Sequence, residues 1–158
     1  MNILITGSNG FIAKNLIVKL RSVKKYKLYL CNKSTIKKKL SEYLNKADII
    51  FHFAATNRSV NSKNFNTNNY LFTKEILNYL VKISKKTPII FSSSIMATDK
   101  SYYGISKLKA EKIINDYIKI NKSKSKILRL PNVFGKWSKP NYNSVVATFC
   151  HNLSRNKK

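Results

Sequence analysis

"NILITGSNGFIAKNLIVKL", residues 2–20, changes its hydrophobic period halfway through. Residues 2–6 are a short apolar run and read as a strand buried on both faces. Residues 12, 13, 16, 17 and 20 are apolar at helical spacing, so 11–20 reads as an amphipathic helix. Between the two, Gly7 and Gly10 stand three apart, and Ala13 occupies the place of a third glycine. Gly7 permits a tight turn, Gly10 lets the backbone approach a pyrophosphate, and Ala13 keeps helix and strand close. The helix start, around Asn9, Gly10, Phe11 and Ile12, presents free N–H groups and a positive dipole end to phosphates. Strand before and helix after is the context a dinucleotide-binding turn needs; a ligand-free tight turn is the competing reading of a glycine pair.

Outward from this turn, apolar runs at 27–31, 47–55, 88–94 and 126–130 predict four more strands. Helical stripes predict helices at 36–44, within 65–84, at 102–120 and at 144–153. "NRSVNSKNFNTNN" (57–69) is polar and reads as a loop with a frayed helix start, and "NKSKSK" (121–126) as a solvated loop. Strands alternate with helices throughout, which predicts an α/β fold, a doubly wound parallel sheet of Rossmann type covered on both faces. At 158 residues and 43% hydrophobic, the chain suits one domain, 1–158, with one core.

Composition sets further bounds. No apolar run is long enough to span a membrane, and "MNILITGSNG" lacks the basic and long apolar regions of a signal peptide. Cys31 and Cys150 lie far apart, outside any metal-ligand spacing, and read as reduced thiols of a cytoplasmic protein with no metal. Lys and Arg number 31 against 6 Asp and Glu, a net charge of +25. Such a balance suits phosphate neutralisation on nucleic acid. The lysines are spread along the chain, however, and Lys, Asn, Ile and Tyr, all abundant, share A/T-rich codons. Codon bias is therefore the preferred reading, with no specific nucleic-acid partner expected. The positive field still attracts phosphate-bearing ligands.

The end of the second strand bears on cofactor choice. A carboxylate there would bind the adenosine 2′-hydroxyl of NAD, but "CNKST" offers Asn32 and Lys33, with no carboxylate until Glu42. A cation favours the 2′-phosphate, so NADP(H) is expected, with NAD(H) the second choice.

"SYYGISK", residues 101–107, supplies the reactive pair. Residues four apart on a helix share a face, separated by about 6 Å of rise. Tyr103 therefore pairs with Lys107, whereas Tyr102 pairs with Ser106. A nearby ammonium is expected to lower the tyrosine pKa. "FSSS" ends the fourth strand, where ligands of open parallel sheets bind. Strand alternation puts Ser92 and Ser94 on one face, and Ser94, nearest the crevice, is the expected carbonyl-binding hydroxyl. A Tyr-x-x-x-Lys match alone arises by chance in so lysine-rich a chain. Its weight comes from the order of turn, serines and pair, and all four glycines fall in these motifs or in "NVFGKW". His52 lies inside a strand and reads as a hydrogen-bonded core residue; His151 and Trp137 are given no role.

"TGSNGFIAKNL", "ADIIFHFAA", "FSSSIMAT", "YGISKLKAEKII" and "LRLPNVFGKW" together resemble the extended short-chain dehydrogenase/reductase family of nucleotide-sugar epimerases, dehydratases and reductases. "RLPNVFGKWSKPNYNSVVATFCHNLSRN" is similar to the capsular-polysaccharide reductases among them. The resemblance implies NADPH-dependent reduction at C4 of a UDP-2-acetamido-2,6-dideoxy-hexulose. Tyr103 would protonate the oxygen, Lys107 would support it and hold the nicotinamide ribose, and Ser94 would bind the carbonyl. It also implies that Ala54, Ala55 and Pro131 line the cofactor, that Asn132 and Asn143 contact substrate, and that a homodimer forms through helices including 65–84 and 102–120. An epimerase or dehydratase holding NAD, and a non-catalytic basic module binding an acidic partner, remain alternatives; dehydration needs an acidic pair near the serines, and only Asp99 is close. Relatives continue beyond a point matching Lys158 into further substrate-binding elements and a β-barrel domain. The ending therefore predicts an incomplete substrate region, an N-terminal fragment or shortened reading frame that binds NADPH weakly and turns over poorly or not at all.

Overall fold

The computed structural model describes residues 1–157, so Lys158, the last residue of the expected domain, lies outside the described residues. Five strands, β1 (Asn2–Thr6), β2 (Lys27–Cys31), β3 (Ile49–His52), β4 (Ile89–Ser94) and β5 (Lys126–Leu130), form one parallel sheet in the order β2-β1-β3-β4-β5. The chain reverses its direction of winding between β1 and β3, so a crevice opens at their carboxyl ends.

Alternation along β1 builds two cores. Ile3 and Ile5 face Ala13 and Ile17 of α1 (Phe11–Ser22). Leu4 faces a larger cluster with Leu40 and Leu44 of α2 (Lys37–Lys46), Ile76, Leu77 and Leu80 of α4 (Phe72–Lys82), and Ala110, Ile114 and Tyr117 of α5 (Tyr102–Asn121). Residues 3–6 are at most 1% exposed, which explains why this strand reads as a continuous apolar run. The final helix, α6 (Val145–Leu153), buries none of its residues. Among the described residues no helix is long and apolar enough to cross a membrane.

Two segments differ from the sequence expectation. The sequence predicts the third strand over 47–55, but it pairs only over Ile49–His52. Its neighbour β1 pairs Thr6 with His52 and then turns at Gly7, so 53–55 continues without a partner strand on that side. The expected polar loop at 57–69 is helical from Lys63: one α turn, α3 (Lys63–Phe65), passes into a π-helical stretch (Asn66–Leu71) that runs directly into α4. The cause is an inward-facing amide. Asn69 is 1% exposed, accepts from the Thr56 backbone N–H at 2.7 Å and donates to the Ser106 hydroxyl at 2.9 Å. Widened helical turns of this kind are frequent at functional sites.

Candidate functional site

Gly7 has φ +67°, and a Cβ placed there would lie 2.7 Å from both the backbone N and Cα of Ala54. The turn after β1 and the end of β3 therefore touch main chain to main chain. Gly10 opens α1 in an extended conformation with no side-chain cap, and no acidic residue stands in the first turn. The leading N–H groups of α1 and its positive dipole end are thus left for an anion. This cradle fits a dinucleotide pyrophosphate.

Two adjoining clefts share Gly7, Gly10, Phe53 and Ala55. The larger, about 890 Å³, is also lined by Asn9, Asn32, Lys33, Thr35, Lys37 and Ala54. The Asn32 side-chain carbonyl shapes its wall by accepting from the Ser34 N–H at 3.0 Å and hydroxyl at 2.6 Å. The smaller, about 230 Å³, is lined by Phe11, Ile12, Ser94, Tyr103, Lys107, Pro131 and Asn143, among others. The sequence-derived residues thus gather at the crevice, with one exception. Asn132 lines neither cleft; it ties down the start of α6, donating to the Asn143 carbonyl at 2.9 Å and accepting from the Val145 N–H at 3.3 Å.

Tyr103 and Lys107 lie one turn apart on the cleft face of α5, whereas Tyr102 is 68% exposed. Ser101 caps this helix by accepting from the Gly104 N–H at 3.1 Å. The Lys107 ammonium is buried, donates to the Ser92 carbonyl at 2.6 Å and sits 4.7 Å from the Phe91 ring centroid. Burial pushes it down from the usual lysine range to about 7, against the pull of Glu111. Tyr103 corrects an expectation. Its phenol is raised, not lowered: burial favours the neutral form, and the Ser94 side chain only partly offsets this. The Lys107 ammonium, 5.9 Å from the ring centroid, is turned towards the Ser92 carbonyl instead.

His52 is a core residue, 1% exposed, with Nδ1 2.7 Å from the Thr6 hydroxyl and Nε2 2.9 Å from the Thr73 hydroxyl. Burial, reinforced by the charge of Lys107, holds its pKa at about 3. Between pH 3 and 6.5 the unfolded chain therefore binds a proton at His52 that the folded chain does not. Stability rises with pH through this window and is lost on acidification below 6.5. Urea midpoints measured across that range should show the slope, and a His52→Gln chain should show a flatter one.

Sequence reasoning missed two clusters. Arg58 stacks on the Tyr142 ring, 4.8 Å from its centroid, and donates to the Tyr142 carbonyl and to Asn143 Oδ1. The Tyr142 hydroxyl in turn donates to Asn57 Oδ1 at 2.7 Å, so the loop after β3 is strapped to the loop after β5 across the smaller cleft. The second cluster joins Glu111, Ser93 and Arg129 beneath Lys107. Arg58 and Tyr142 lie in polar stretches, Glu111 at an ordinary helix position, and Ser93 and Arg129 inside the fourth and fifth expected strands, so periodicity gave no signal that either cluster would form, although Asn143 was itself expected at the site.

The model of the NAD dependent epimerase/dehydratase family matches residues 3–158. The chain is 37% identical over 155 residues to UDP-2-acetamido-2,6-beta-L-arabino-hexul-4-ose reductase of Pseudomonas aeruginosa, covering 98% of this chain and 42% of that protein. It is similar in structure to the capsular polysaccharide assembling protein CapF from Staphylococcus aureus, with a TM-score of 0.82 and 39% identity over 100% of this chain and 42% of that one. UDP-glucuronic acid 4-epimerase from Bacillus cereus shares the fold at a TM-score of 0.83, with 22% identity over 99% of this chain and 63% of that one. The chain thus spans less than half the length of the curated relative it matches.

Proposed function

The chain belongs to the NAD dependent epimerase/dehydratase family, and from that premise we propose that it forms the cofactor-binding and proton-donating part of an NADPH-dependent reductase acting on a UDP-linked 4-keto-6-deoxy-hexosamine. The observation that carries this reading is the meeting of Ser94, Tyr103 and Lys107 in a cleft that adjoins the Gly7 turn. The reductase named among the relatives supports the reaction class, and the capsular protein supports a role in surface-polysaccharide synthesis.

When bound, the nicotinamide supplies a hydride to the carbonyl carbon. Tyr103, kept protonated by burial, donates its proton to the carbonyl oxygen as charge develops there. The Ser94 hydroxyl, in the same cleft, orients that oxygen. Lys107 lines the floor of the same cleft with its ammonium on the Ser92 carbonyl, a position from which it can hold the nicotinamide ribose. Dehydration instead needs free carboxyls beside the serines. Asp99 is exposed and lines neither cleft, and Glu111 is held by Arg129.

Lys33 and Lys37 both line the larger cleft, and since Lys37 pairs with Glu75 of the same lining at 3.7 Å, Lys33 is the cation that favours the additional 2′-phosphate of NADPH. Fluorescence titration should show NADPH binding more tightly than NADH. Lys33→Glu should weaken NADPH by about tenfold or more, at least the loss of about one charge-assisted contact, and leave NADH unchanged or bound more tightly, since a carboxylate there can take the 2′-hydroxyl. A preference for NADPH that survives Lys33→Glu undiminished would sink the assignment of Lys33.

A further inference from the structure

Glu111 lies one turn beyond Lys107 on α5, on the same helix face. It is 4% exposed, and three bonds fix it. Its Oε1 accepts from the Ser93 hydroxyl at 2.5 Å and from Arg129 Nε at 2.9 Å, and its Oε2 accepts from Arg129 Nη2 at 2.6 Å. Ser93 and Arg129 are register partners on β4 and β5. Ser92, next to Ser93 on β4, supplies the carbonyl that receives the Lys107 ammonium. One carboxylate thus grips both strands, while the lysine above it grips the same stretch of β4.

Packing alone does not account for this arrangement. Glu111 is buried while its partner Arg129 is 45% exposed along its side chain, and desolvating a carboxylate offsets much of what such a pair gains. What the carboxylate provides is a fixed negative charge under a buried ammonium that has, among the described residues, a single hydrogen-bond acceptor. The other titratable or charged groups near Lys107 do not offer this. His52 on β3 is neutral, Tyr103 on α5 is a protonated phenol, Lys139 across the cleft is a like charge, and Tyr142 is a phenol bonded to Asn57.

We propose that Glu111 is a positioning residue for Lys107: buried itself, it forms with Ser93 and the half-exposed Arg129 a charged clamp across β4, β5 and α5 that holds the Lys107 ammonium, with its charge, at the floor of the smaller cleft. The charges alternate, Lys107 positive, Glu111 negative, Arg129 positive. The two charged members of the clamp, Glu111 and Arg129, therefore have opposite effects on Lys107. Loss of the Glu111 charge disfavours the ammonium, and loss of the Arg129 charge leaves Glu111 freer to favour it. The functional half of this inference rests on the reading of Lys107 proposed above.

Competitive labelling with acetic anhydride, followed by mass spectrometry of the peptide carrying Lys107, reads the protonation of this one amine across pH without cofactor or turnover. In the parent chain the labelling midpoint should lie at about 7. Glu111→Gln keeps an acceptor for the Ser93 hydroxyl but removes the charge. It should increase Lys107 labelling at pH 6 severalfold, about fivefold for a one-unit fall in the midpoint. Arg129→Gln should do the reverse and reduce labelling at pH 7. Shifts of opposite sign support the clamp, since a loosened fold would expose Lys107 in both variants alike. An unmoved midpoint in Glu111→Gln, or shifts in the same direction, overturns it. If Glu111→Gln does not fold, Arg129→Gln decides, and unreduced labelling there overturns the proposal. The reductase reading fails separately, in the nucleotide titration of Lys33→Glu or the turnover of Tyr103→Phe.

Discussion

Tyr103→Phe should lower the rate of carbonyl reduction by about 10²- to 10⁴-fold, the contribution of a positioned proton donor, while NADPH binding changes little. The substitution removes one oxygen and keeps the ring, which packs edge-on against Phe65 with centroids 6.3 Å apart. The loss should therefore appear in kcat and not as unfolding. Stopped-flow oxidation of NADPH in the active protein, with a UDP-linked 4-keto sugar as substrate, measures it. Tyr102→Phe is the control: its side chain is 68% exposed and outside both clefts, so rates should match the parent. If Tyr102→Phe causes the loss and Tyr103→Phe does not, the helical register assigned to the pair is wrong. Because burial raises the Tyr103 phenol, the reaction should keep its proton donor up to alkaline pH, whereas Lys107 loses its charge from about 7 upward. The alkaline fall in rate should therefore follow the lysine.

Gly104→Ala should destabilise the fold by about 3 kcal/mol, as overpacking against rigid neighbours does, although alanine ordinarily stabilises a helix interior by about 1 kcal/mol over glycine. A Cβ at position 104 would fall inside contact distance of the Met96 carbonyl oxygen and 2.7 Å from that of Asp99. Both oxygens belong to the main chain around the 3₁₀ turn Ile95–Thr98, which follows directly on Ser94. To admit the methyl group, α5 must move away from this turn and carry Tyr103 away from Ser94. Urea denaturation measures the first effect, and reduced turnover in the folded fraction the second. Asn115→Ala, at an exposed position of the same helix, should be neutral or slightly stabilising. Equal stability of Gly104→Ala and the parent would refute the close approach.

The parallel sheet was legible because β1, β2 and β5 are short apolar runs between turn signals, and they occupy the residues the sequence assigns them, Asn2–Thr6, Lys27–Cys31 and Lys126–Leu130. The glycine turn and the Tyr/Lys spacing were legible because each depends on local geometry: a positive φ in one case, a helical repeat in the other. What escaped the sequence depends on partners distant in the chain. Asn69 looks like a loop residue until Ser106, 37 positions away, faces it. Glu111 looks like a solvated helix position until Arg129, 18 positions on, closes over it. The direction of the Tyr103 shift escaped for the same reason, because spacing predicts a neighbour but not the depth at which the neighbour sits or where its ammonium points.

The contact between the Gly7 turn and the end of β3 has a genetic consequence. The atoms that a side chain at position 7 would strike are the N and Cα of Ala54 and the carbonyl carbon of Phe53, all of them backbone. No exchange of residue at 53 or 54 can remove those atoms, so a damaging substitution at Gly7 has no compensating partner at the place it collides with. In a selection for restored function, revertants of Gly7 variants should be recovered at codon 7 itself. Positions 53 and 54, free of this pairwise dependence, should drift according to the demands of the cleft and, at Phe53, of the core it packs against.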